Sequence, residues 1–186
     1  MRVVGGRFKG LALNTPKGSD IRPTSDRLRE AVFNILAHAY DDPVDGARVL
    51  DVFAGTGALG LEALSRGARS ALFIDVSADA RALIRRNLES AGIMGLARIS
   101  KRDAAHLGPA GQQGGFTLAF LDPPYGRNLA DRALTSLAKG GWLAEGALVL
   151  VEERSGVDIH LPPGYRQRER RTYGDTEILI LSYEPT

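Results

Sequence analysis

One stretch decides the fold of this 186-residue chain, Val49-Leu50-Asp51-Val52-Phe53-Ala54-Gly55-Thr56-Gly57-Ala58-Leu59-Gly60. Its first four residues are typical of a buried strand, and they run into glycines and then into a helical segment. Glycine permits a tight turn and lets the backbone approach a ligand where a Cβ would clash. Gly55, Gly57 and Gly60 match the pattern G-x-G-x-x-G, which many ligand-binding strand–turn–helix units carry. The stretch therefore predicts an α/β fold with a ligand at this turn.

Outward from this stretch, apolar strands alternate with helices. We predict strands at 49–52, 71–75, 97–101, 117–122 and 147–152, and helices at 58–65, 78–91 and 129–138. Such alternation is typical of a parallel sheet covered on both faces. Only the turn Tyr173-Gly174-Asp175 separates the last two segments, 165–172 and 177–183, so they should pair antiparallel. The sequence predicts an α/β, Rossmann-like, mostly parallel seven-stranded sheet that ends in a C-terminal antiparallel hairpin.

The first 42 residues read as an extension of a single domain whose core spans 43–186. Residues 2–13 alternate around three glycines, which suits a short hairpin. After Pro23, either Thr24 or Ser25 can cap a helix that ends near Asp41-Asp42-Pro43. The apolar residues at helical spacing in that helix are Leu28, Val32, Ile35, Leu36 and Ala39.

Composition excludes several classes of function. Cysteine is absent, so disulfides, thiolate metal sites and cysteine nucleophiles are excluded. No apolar run has the length of a signal peptide or a membrane span, so we expect a cytoplasmic protein without a membrane partner. The three histidines, His38, His106 and His160, lack paired spacing, and we expect no metal. Trp142 is expected in the core.

Acidic residues follow three successive strands, where ligands bind in open α/β sheets. Asp51 stands at the end of its strand, shortly before the glycines, where its charge disfavours a pyrophosphate but suits the ammonium and sulfonium of S-adenosylmethionine. Asp75, 20 residues after Gly55, can accept hydrogen bonds from ribose hydroxyls in either kind of cofactor. Asp103 either accepts from an adenine amino group or caps a helix at Ala104.

The segment Leu121-Asp122-Pro123-Pro124-Tyr125 ends the fourth strand at the same edge. Its two prolines fix the backbone and leave carbonyls to point into a site. Asp122 and the Pro123 carbonyl can accept both protons of an amino group on a base, and Tyr125 can stack on that base. An ordinary turn is the alternative for Asp-Pro-Pro, but the acids at neighbouring strand ends favour a catalytic corner.

Positive charge is concentrated in two parts of the chain. Residues 1–30 hold seven Arg or Lys against three acids. The second part is a cluster of Arg166, Arg168, Arg170 and Arg171, within which Glu169 is the one acidic residue. Both could neutralise nucleic-acid phosphates, although charge runs are usually solvated surface.

The chain resembles the RsmD family, bacterial enzymes that methylate a guanine amino group in small-subunit (16S) ribosomal RNA. The stretches that carry the resemblance are residues 2–6, 22–30, 51–63 and 122–125, and the likeness covers nearly the whole chain. It implies a class I methyltransferase fold that binds S-adenosylmethionine. It also implies an RNA or small-subunit particle as substrate, and we expect a monomer.

Carried over by motif, the resemblance implies roles for individual residues. The expected cofactor-binding residues are Asp51, Phe53, Gly55, Gly57, Asp75, Asp103 and Ala104. The residues expected to receive the guanine are Asp122, Pro123, Pro124 and Tyr125. The residues expected near the mouth of the site, in contact with RNA or the cofactor, are Arg22, Thr24 and Arg27. Relatives often place Glu where this chain has Asp75, and the Arg166–Arg171 cluster matches no family motif.

The residues alone leave three alternative functions open. The Asp-Pro-Pro-Tyr chemistry also serves a DNA adenine-amino methyltransferase, but the chain lacks room for a target-recognition insertion. The G-x-G-x-x-G pattern alone would allow a nicotinamide-dependent oxidoreductase, against which Asp51 argues. A non-catalytic RNA-binding module would share the basic surface without needing Asp122.

Overall fold

The computed structural model describes residues 1–17 and 25–185, in which seven strands form one sheet flanked by helices. The helices are α1 (Asp26–Ala39), α2 (Ala58–Ser65), α3 (Ala78–Ala91) and α4 (Leu129–Gly140). The strands are β1 (Arg48–Val52), β2 (Ser70–Ile74), β3 (Ala97–Ser100), β4 (Phe116–Leu121), β5 (Leu143–Arg154), β6 (Tyr165–Tyr173) and β7 (Thr176–Tyr183). The predicted α/β Rossmann-like fold is confirmed, and α2 and α3 have the bounds that the sequence predicts.

The order of strands across the sheet is β3-β2-β1-β4-β5-β7-β6. Strands β1 to β5 pair in parallel, whereas β7 runs antiparallel between β5 and β6. The chain passes from β1 toward β3 on one side and returns to β4 on the other, so the order reverses between β1 and β4. Ligands of open α/β sheets bind at such a reversal, beyond the carboxyl ends of the strands.

The register aligns those strand ends. Val52 lies opposite both Ile74 of β2 and Leu121 of β4, and Leu121 in turn lies opposite Val151 of β5. Residues that immediately follow β1, β2 and β4 therefore emerge side by side at one edge of the sheet.

The core has two layers, one on each face of the sheet. On the face covered by α1, α2 and α3, side chains such as Phe33, Leu61 and Ile84 pack together. On the face covered by α4, Leu134 and Trp142 belong to the second layer, and Trp142 is fully buried as predicted. Alternating side chains of each central strand supply both layers.

The N-terminal segment folds as a tight hairpin with one antiparallel bridge, between Arg2 and Ala12. Ser25 then caps α1 by accepting a hydrogen bond from the Leu28 amide at 3.1 Å. On that helix Val32 and Leu36 are buried as predicted, whereas Ala39 is exposed because α1 is ending there.

A buried ion network joins this segment to the core. Arg29 and Glu62 are both fully buried, and their side chains meet at 3.1 Å. The Glu62 carboxylate also accepts the amides of Val4 at 3.0 Å and Gly5 at 2.9 Å, and it pairs with Arg66 at 2.8 Å. Arg29 also bonds to Asp26 at 2.9 Å. One carboxylate on α2 thus fixes both the hairpin and α1.

No helix among the described residues combines the length and the apolar character needed to cross a membrane.

Candidate functional site

The turn after β1 has a backbone that few side chains favour. Phe53 has φ 59°, Gly55 has φ 58° and Gly57 has φ 79°. A left-handed Phe is strained, and such strain concentrates at functional sites when the surroundings hold it in place. Two backbone bonds hold it: the Ala54 amide donates to the Ile74 carbonyl at 3.0 Å, and Gly57 donates to Ala54 at 2.8 Å.

The glycines of this turn serve different purposes. A Cβ on Gly57 would meet side chains of Ile84 and Phe73 at 3.2–3.4 Å, and one on Gly60 would lie 2.4 Å from the Phe73 ring. These two glycines allow α2 to pack closely on β2. A Cβ on Gly55 would meet only the Phe53 carbonyl, at 4.0 Å, so the space beside Gly55 is open to a ligand.

Asp51 lies beneath the turn, 1% exposed. Its Oδ2 accepts a hydrogen bond from the Gly60 amide at 2.9 Å. Burial raises the pKa of Asp51 to about 8, although the Gly60 bond opposes the rise and the nearby Asp75 adds to it. The acid that the sequence assigns to a cationic ligand is therefore at the predicted edge, below the turn that would carry the ligand.

Asp75 follows β2 and joins the two neighbouring turns. Its Oδ2 accepts from the Gly55 amide at 2.9 Å and its Oδ1 from the Ser77 amide at 2.9 Å. Each carboxylate oxygen has two lone pairs, so both can accept a further bond from a ribose hydroxyl. The next residue, Val76, is 58% exposed, an apolar side chain left in solvent at the site, which the sequence analysis missed.

Asp103 caps the short 3-10 helix Ala104–His106. Its Oδ1 accepts from the Ala105 amide at 2.9 Å and its Oδ2 lies 3.2 Å from His106 Nδ1. These two hydrogen bonds, that of Ala105 first, lower the pKa of Asp103. The structure therefore shows the capping role that the sequence allowed, and Ala104 is buried behind it.

The corner formed by residues 122–125 stands on the neighbouring strand. The Asp122 amide lies 3.5 Å from the Val52 carbonyl, which places Asp122 next to the glycine turn. Asp51 and Asp122 thus share the same end of the sheet, as the sequence predicts. Pro123 is buried and Pro124 is exposed, so this corner leaves the sheet at Pro124.

The phenol of Tyr125 is held by two side chains that the sequence analysis did not identify. Its oxygen lies 3.4 Å from Glu152 Oε1 of β5 and 3.2 Å from Thr176 Oγ1 of β7. Both partners are buried. Because these residues are far from Tyr125 in sequence, no local pattern predicts the contact.

Asn87 is a second residue that sequence reasoning missed. Fully buried on α3, it donates to the Thr56 carbonyl in the glycine turn at 2.9 Å. Its Oδ1 accepts from the Asn14 amide at 2.7 Å and from the Asn14 side chain at 3.0 Å. One side-chain amide thus ties the glycine turn to the N-terminal segment.

The residues predicted at the mouth are only partly within the described residues. Arg22 and Thr24 lie outside them, while Arg27 is exposed on the first turn of α1. Arg29, in the same stretch, is buried against Glu62. Its charge therefore docks α1 on the core.

The arginines of β6 are largely paired with acids. Arg166 lies 3.8 Å from Glu184, Arg170 lies 3.2 Å from Glu177, and Arg171 bonds to Glu169. These pairs cancel most of the local charge, so β6 offers less positive field to a polyanion than its sequence indicates.

Among the described residues, no group of three or more His, Cys, Asp or Glu is placed to hold a metal ion. The edge instead brings together an open glycine turn, the carboxylates of Asp51 and Asp75, and the rigid corner at 122–125. The acids can hold a cationic ligand that carries hydroxyl groups, and the corner can present a flat group with amino protons beside it.

Comparison with known proteins gives this edge a family. The family model described as Conserved hypothetical protein 95 matches residues 1–182. Ribosomal RNA small subunit methyltransferase D of Escherichia coli strain K12 is 39% identical over 163 residues, 87% of this chain and 78% of the relative. The protein of the same name from Haemophilus influenzae is 31% identical, over 98% of this chain and 91% of the relative.

Solved structures of other proteins are similar to this chain in fold and sequence. The Escherichia coli structure described as methyltransferase yhhF has a TM-score of 0.83 and 32% identity, covering 100% of this chain and 99% of that one. A hypothetical protein of Thermus thermophilus has a TM-score of 0.76 and 30% identity, with 100% and 99% coverage. The chain therefore belongs to the RsmD family of methyltransferases, the Conserved hypothetical protein 95 family.

Proposed function

We propose that this protein transfers a methyl group from S-adenosylmethionine to the exocyclic N2 of a guanine in small-subunit ribosomal RNA. One observation carries the proposal: the Asp122-Pro123-Pro124-Tyr125 corner stands directly beside the glycine turn, because β4 pairs with β1 in register. The names of the relatives support ribosomal RNA as the substrate.

The residues at the turn fit S-adenosylmethionine. When bound, this cofactor supplies an electrophilic methyl group on a positively charged sulfur. The open space at Gly55 admits it, and the carboxylate of Asp51 lies below the turn as a countercharge. We assign Asp75 to the ribose hydroxyls, and the exposed Val76 would offer an apolar surface to the adenine ring. We assign Asp103 and Ala104 to the adenine edge.

The corner acts on the acceptor base. The lone pair of an amino group on a base is delocalised into the ring, so the group is a poor nucleophile until it is oriented. Asp122 Oδ and the Pro123 carbonyl accept its two protons and turn the lone pair toward the methyl. Tyr125 stacks on the base and holds it in line, so positioning provides most of the rate enhancement.

Proton transfer follows bond formation. The new N–C bond would form as the bond between the methyl group and the cofactor sulfur breaks, which leaves a neutral thioether. The amino group would then be cationic and would have to lose one proton. We assign Asp122 as the acceptor of that proton, since it already accepts a hydrogen bond from the group.

The substrate's phosphates would meet the N-terminal region. Arg27 is exposed at the start of α1, and we propose that it contacts RNA together with Arg22 and Thr24. The surface of β6 is the weaker candidate, because its arginines are paired with glutamates.

Labelled S-adenosylmethionine tests the proposal directly. We would incubate the protein with naked small-subunit RNA or with small subunits from unmethylated cells, then digest the RNA and identify the nucleoside. N2-methylguanosine at one position is expected. Labelled methyldeoxyadenosine in a parallel DNA reaction, with no label in RNA, would favour the DNA methyltransferase instead.

The variant Asp122→Asn keeps the shape of the corner and removes its charge. We expect activity to fall about 100- to 1,000-fold while cofactor affinity stays the same. The matched control is Asp45→Asn, which changes an exposed acid before β1, at the opposite, amino-terminal ends of the parallel strands. Full activity of Asp122→Asn would contradict the mechanism, and tight binding of a nicotinamide cofactor in place of S-adenosylmethionine would contradict the function.

A further inference from the structure

A second carboxylate stands beside the acceptor corner. Leu121 of β4 lies opposite Val151 of β5, so the residues that follow them, Asp122 and Glu152, occupy adjacent positions on neighbouring strands. Glu152 lies within β5 opposite Ile178 of β7, and Ile178 belongs to the core layer under α1. The Glu152 side chain therefore projects on that face of the sheet.

Glu152 also touches the corner itself. Its Oε1 accepts the Tyr125 phenol at 3.4 Å, and the residue is 8% exposed. A carboxylate this buried is rare unless it is paired or functional, because removing its charge from water is costly.

We propose that Glu152 determines base specificity by accepting the ring N1–H of the guanine whose amino group Asp122 holds. This inference rests on the proposed function and concerns the same site. In this arrangement, the adjacent carboxylates of Glu152 and Asp122 would face two adjacent donors on one edge of the guanine, the N1–H and the N2 amino group.

Base chemistry makes such a pair selective. Guanine has a ring N–H next to its exocyclic amino group. Adenine has the N1 lone pair in that place, and cytosine has the N3 lone pair. A carboxylate in the position of Glu152 would bond to guanine and face a lone pair on either other base. Sites built to bond a substrate N–H reject analogues that lack it, because the buried group is then left without its partner.

The sharpest probe is 2-aminopurine, which keeps the 2-amino group but has a lone pair at N1. Once the modified nucleotide is mapped, RNA carrying either guanosine or 2-aminopurine at that position would be made by ligation. We expect the wild-type protein to methylate the guanosine RNA with a kcat/KM about 10- to 100-fold above that of the 2-aminopurine RNA.

The variant Glu152→Gln should lower the ratio of kcat/KM for the guanosine RNA to that for the 2-aminopurine RNA at least severalfold. The reason is that a side-chain amide can donate to the N1 lone pair as well as accept from N1–H. Thr176→Val removes another contact of the Tyr125 phenol without removing a carboxylate. It should change kcat/KM for both RNAs by the same factor. Glu153→Gln is the matched control, since Glu153 bonds to the adjacent Arg154 amide and should leave the preference unchanged.

The outcomes separate this inference from the proposed function. Equal use of both RNAs by the wild-type protein would overturn the role of Glu152 without any variant, and would leave guanine methylation intact. The role of Glu152 would also be overturned if the Glu152→Gln variant folds normally by circular dichroism and its kcat/KM falls by the same factor for both RNAs. No methylation of either RNA would instead contradict the proposed function.

Discussion

The carboxylate of Asp51 and the amide of Gly60 are joined by a hydrogen bond of 2.9 Å that links β1 to the first turn of α2. This bond requires α2 to approach the sheet closely, and Gly60 has no room for a side chain there. A Cβ would lie 2.4 Å from the Phe73 ring and 3.1 Å from Asp51 Oδ2.

Gly60→Ala should therefore destabilise the protein by about 1–3 kcal/mol through overpacking. Thermal unfolding would measure the loss, and cofactor binding should weaken with it because the turn moves away from β1. Gly95→Ala is the control, since a Cβ there meets nothing within 4 Å. Equal melting temperatures for the two variants would contradict this account.

Asp51 should also make stability depend on pH. Its pKa is about 8 in the folded protein and 3.8 when unperturbed, so the unfolded chain releases this proton at lower pH than the folded one. The contribution of Asp51 to stability therefore falls as pH rises from about 4 to about 8, then levels off. Urea unfolding at several pH values should show a shallower decline for Asp51→Asn than for the wild type, and identical slopes would contradict the assignment.

Cofactor affinity should show the opposite trend. A cationic ligand favours the ionised form of Asp51, so affinity for S-adenosylmethionine should rise toward pH 8, by at most about tenfold per pH unit. Titration calorimetry in buffers of different ionisation enthalpy would detect the released proton. In the Asp51→Asn variant, the ligand's own amino group still releases its proton on binding, and only the proton from Asp51 should be missing. An unchanged number of released protons would exclude Asp51.

The pair of Arg29 and Glu62 should dominate the stability of the N-terminal segment. Glu62→Gln leaves Arg29 buried with a weaker partner, and breaking a buried ion pair costs about 3–5 kcal/mol. We expect a loss near the lower end, because Asp26 still bonds to Arg29. Arg170→Gln breaks the exposed pair with Glu177 and should cost less than about 1 kcal/mol. Similar losses in both variants would mean that the buried network is not the anchor.

Asn87→Ala should affect both the cofactor turn and the N-terminal segment. The substitution leaves the buried Thr56 carbonyl without its partner, at a cost of about 1–3 kcal/mol. It also removes the bonds to Asn14, which is exposed and can bond to water instead. We expect a higher Kd for S-adenosylmethionine together with a lower melting temperature. Asn34→Ala, at an exposed position of α1, is the matched control. A Kd that stays at the wild-type value would limit Asn87 to a structural role.

The sequence predicts local structure well where local signals are strong. Helix α3 begins after the cap Ser77 and ends at Gly92, whose φ of 70° suits glycine, so both bounds are visible in the sequence. Strand β5 begins at Leu143, four residues before its prediction, because Glu145 and Gly146 interrupt the apolar pattern without ending the strand.

The residues at this edge are predictable only where they stand at the ends of strands. Asp51, Asp75 and Asp122 are found this way, because parallel strands bring their carboxyl ends to one edge. Glu62, Asn87 and Glu152 are not, since each acts on residues far along the chain and charged or amide side chains are normally exposed. Their burial is a property of packing, which no short motif records.

The outer strand β6 has a further consequence for how copies of this protein meet. Its pairing with β7 shifts register between Gln167 and Glu169, so Arg168 is an extra residue on the open side of the sheet. Such an irregularity, together with flanking charges, interrupts the straight row of amides and carbonyls that a strand from another molecule would need. Deleting Arg168 would straighten this margin and expose it to self-association in concentrated solution.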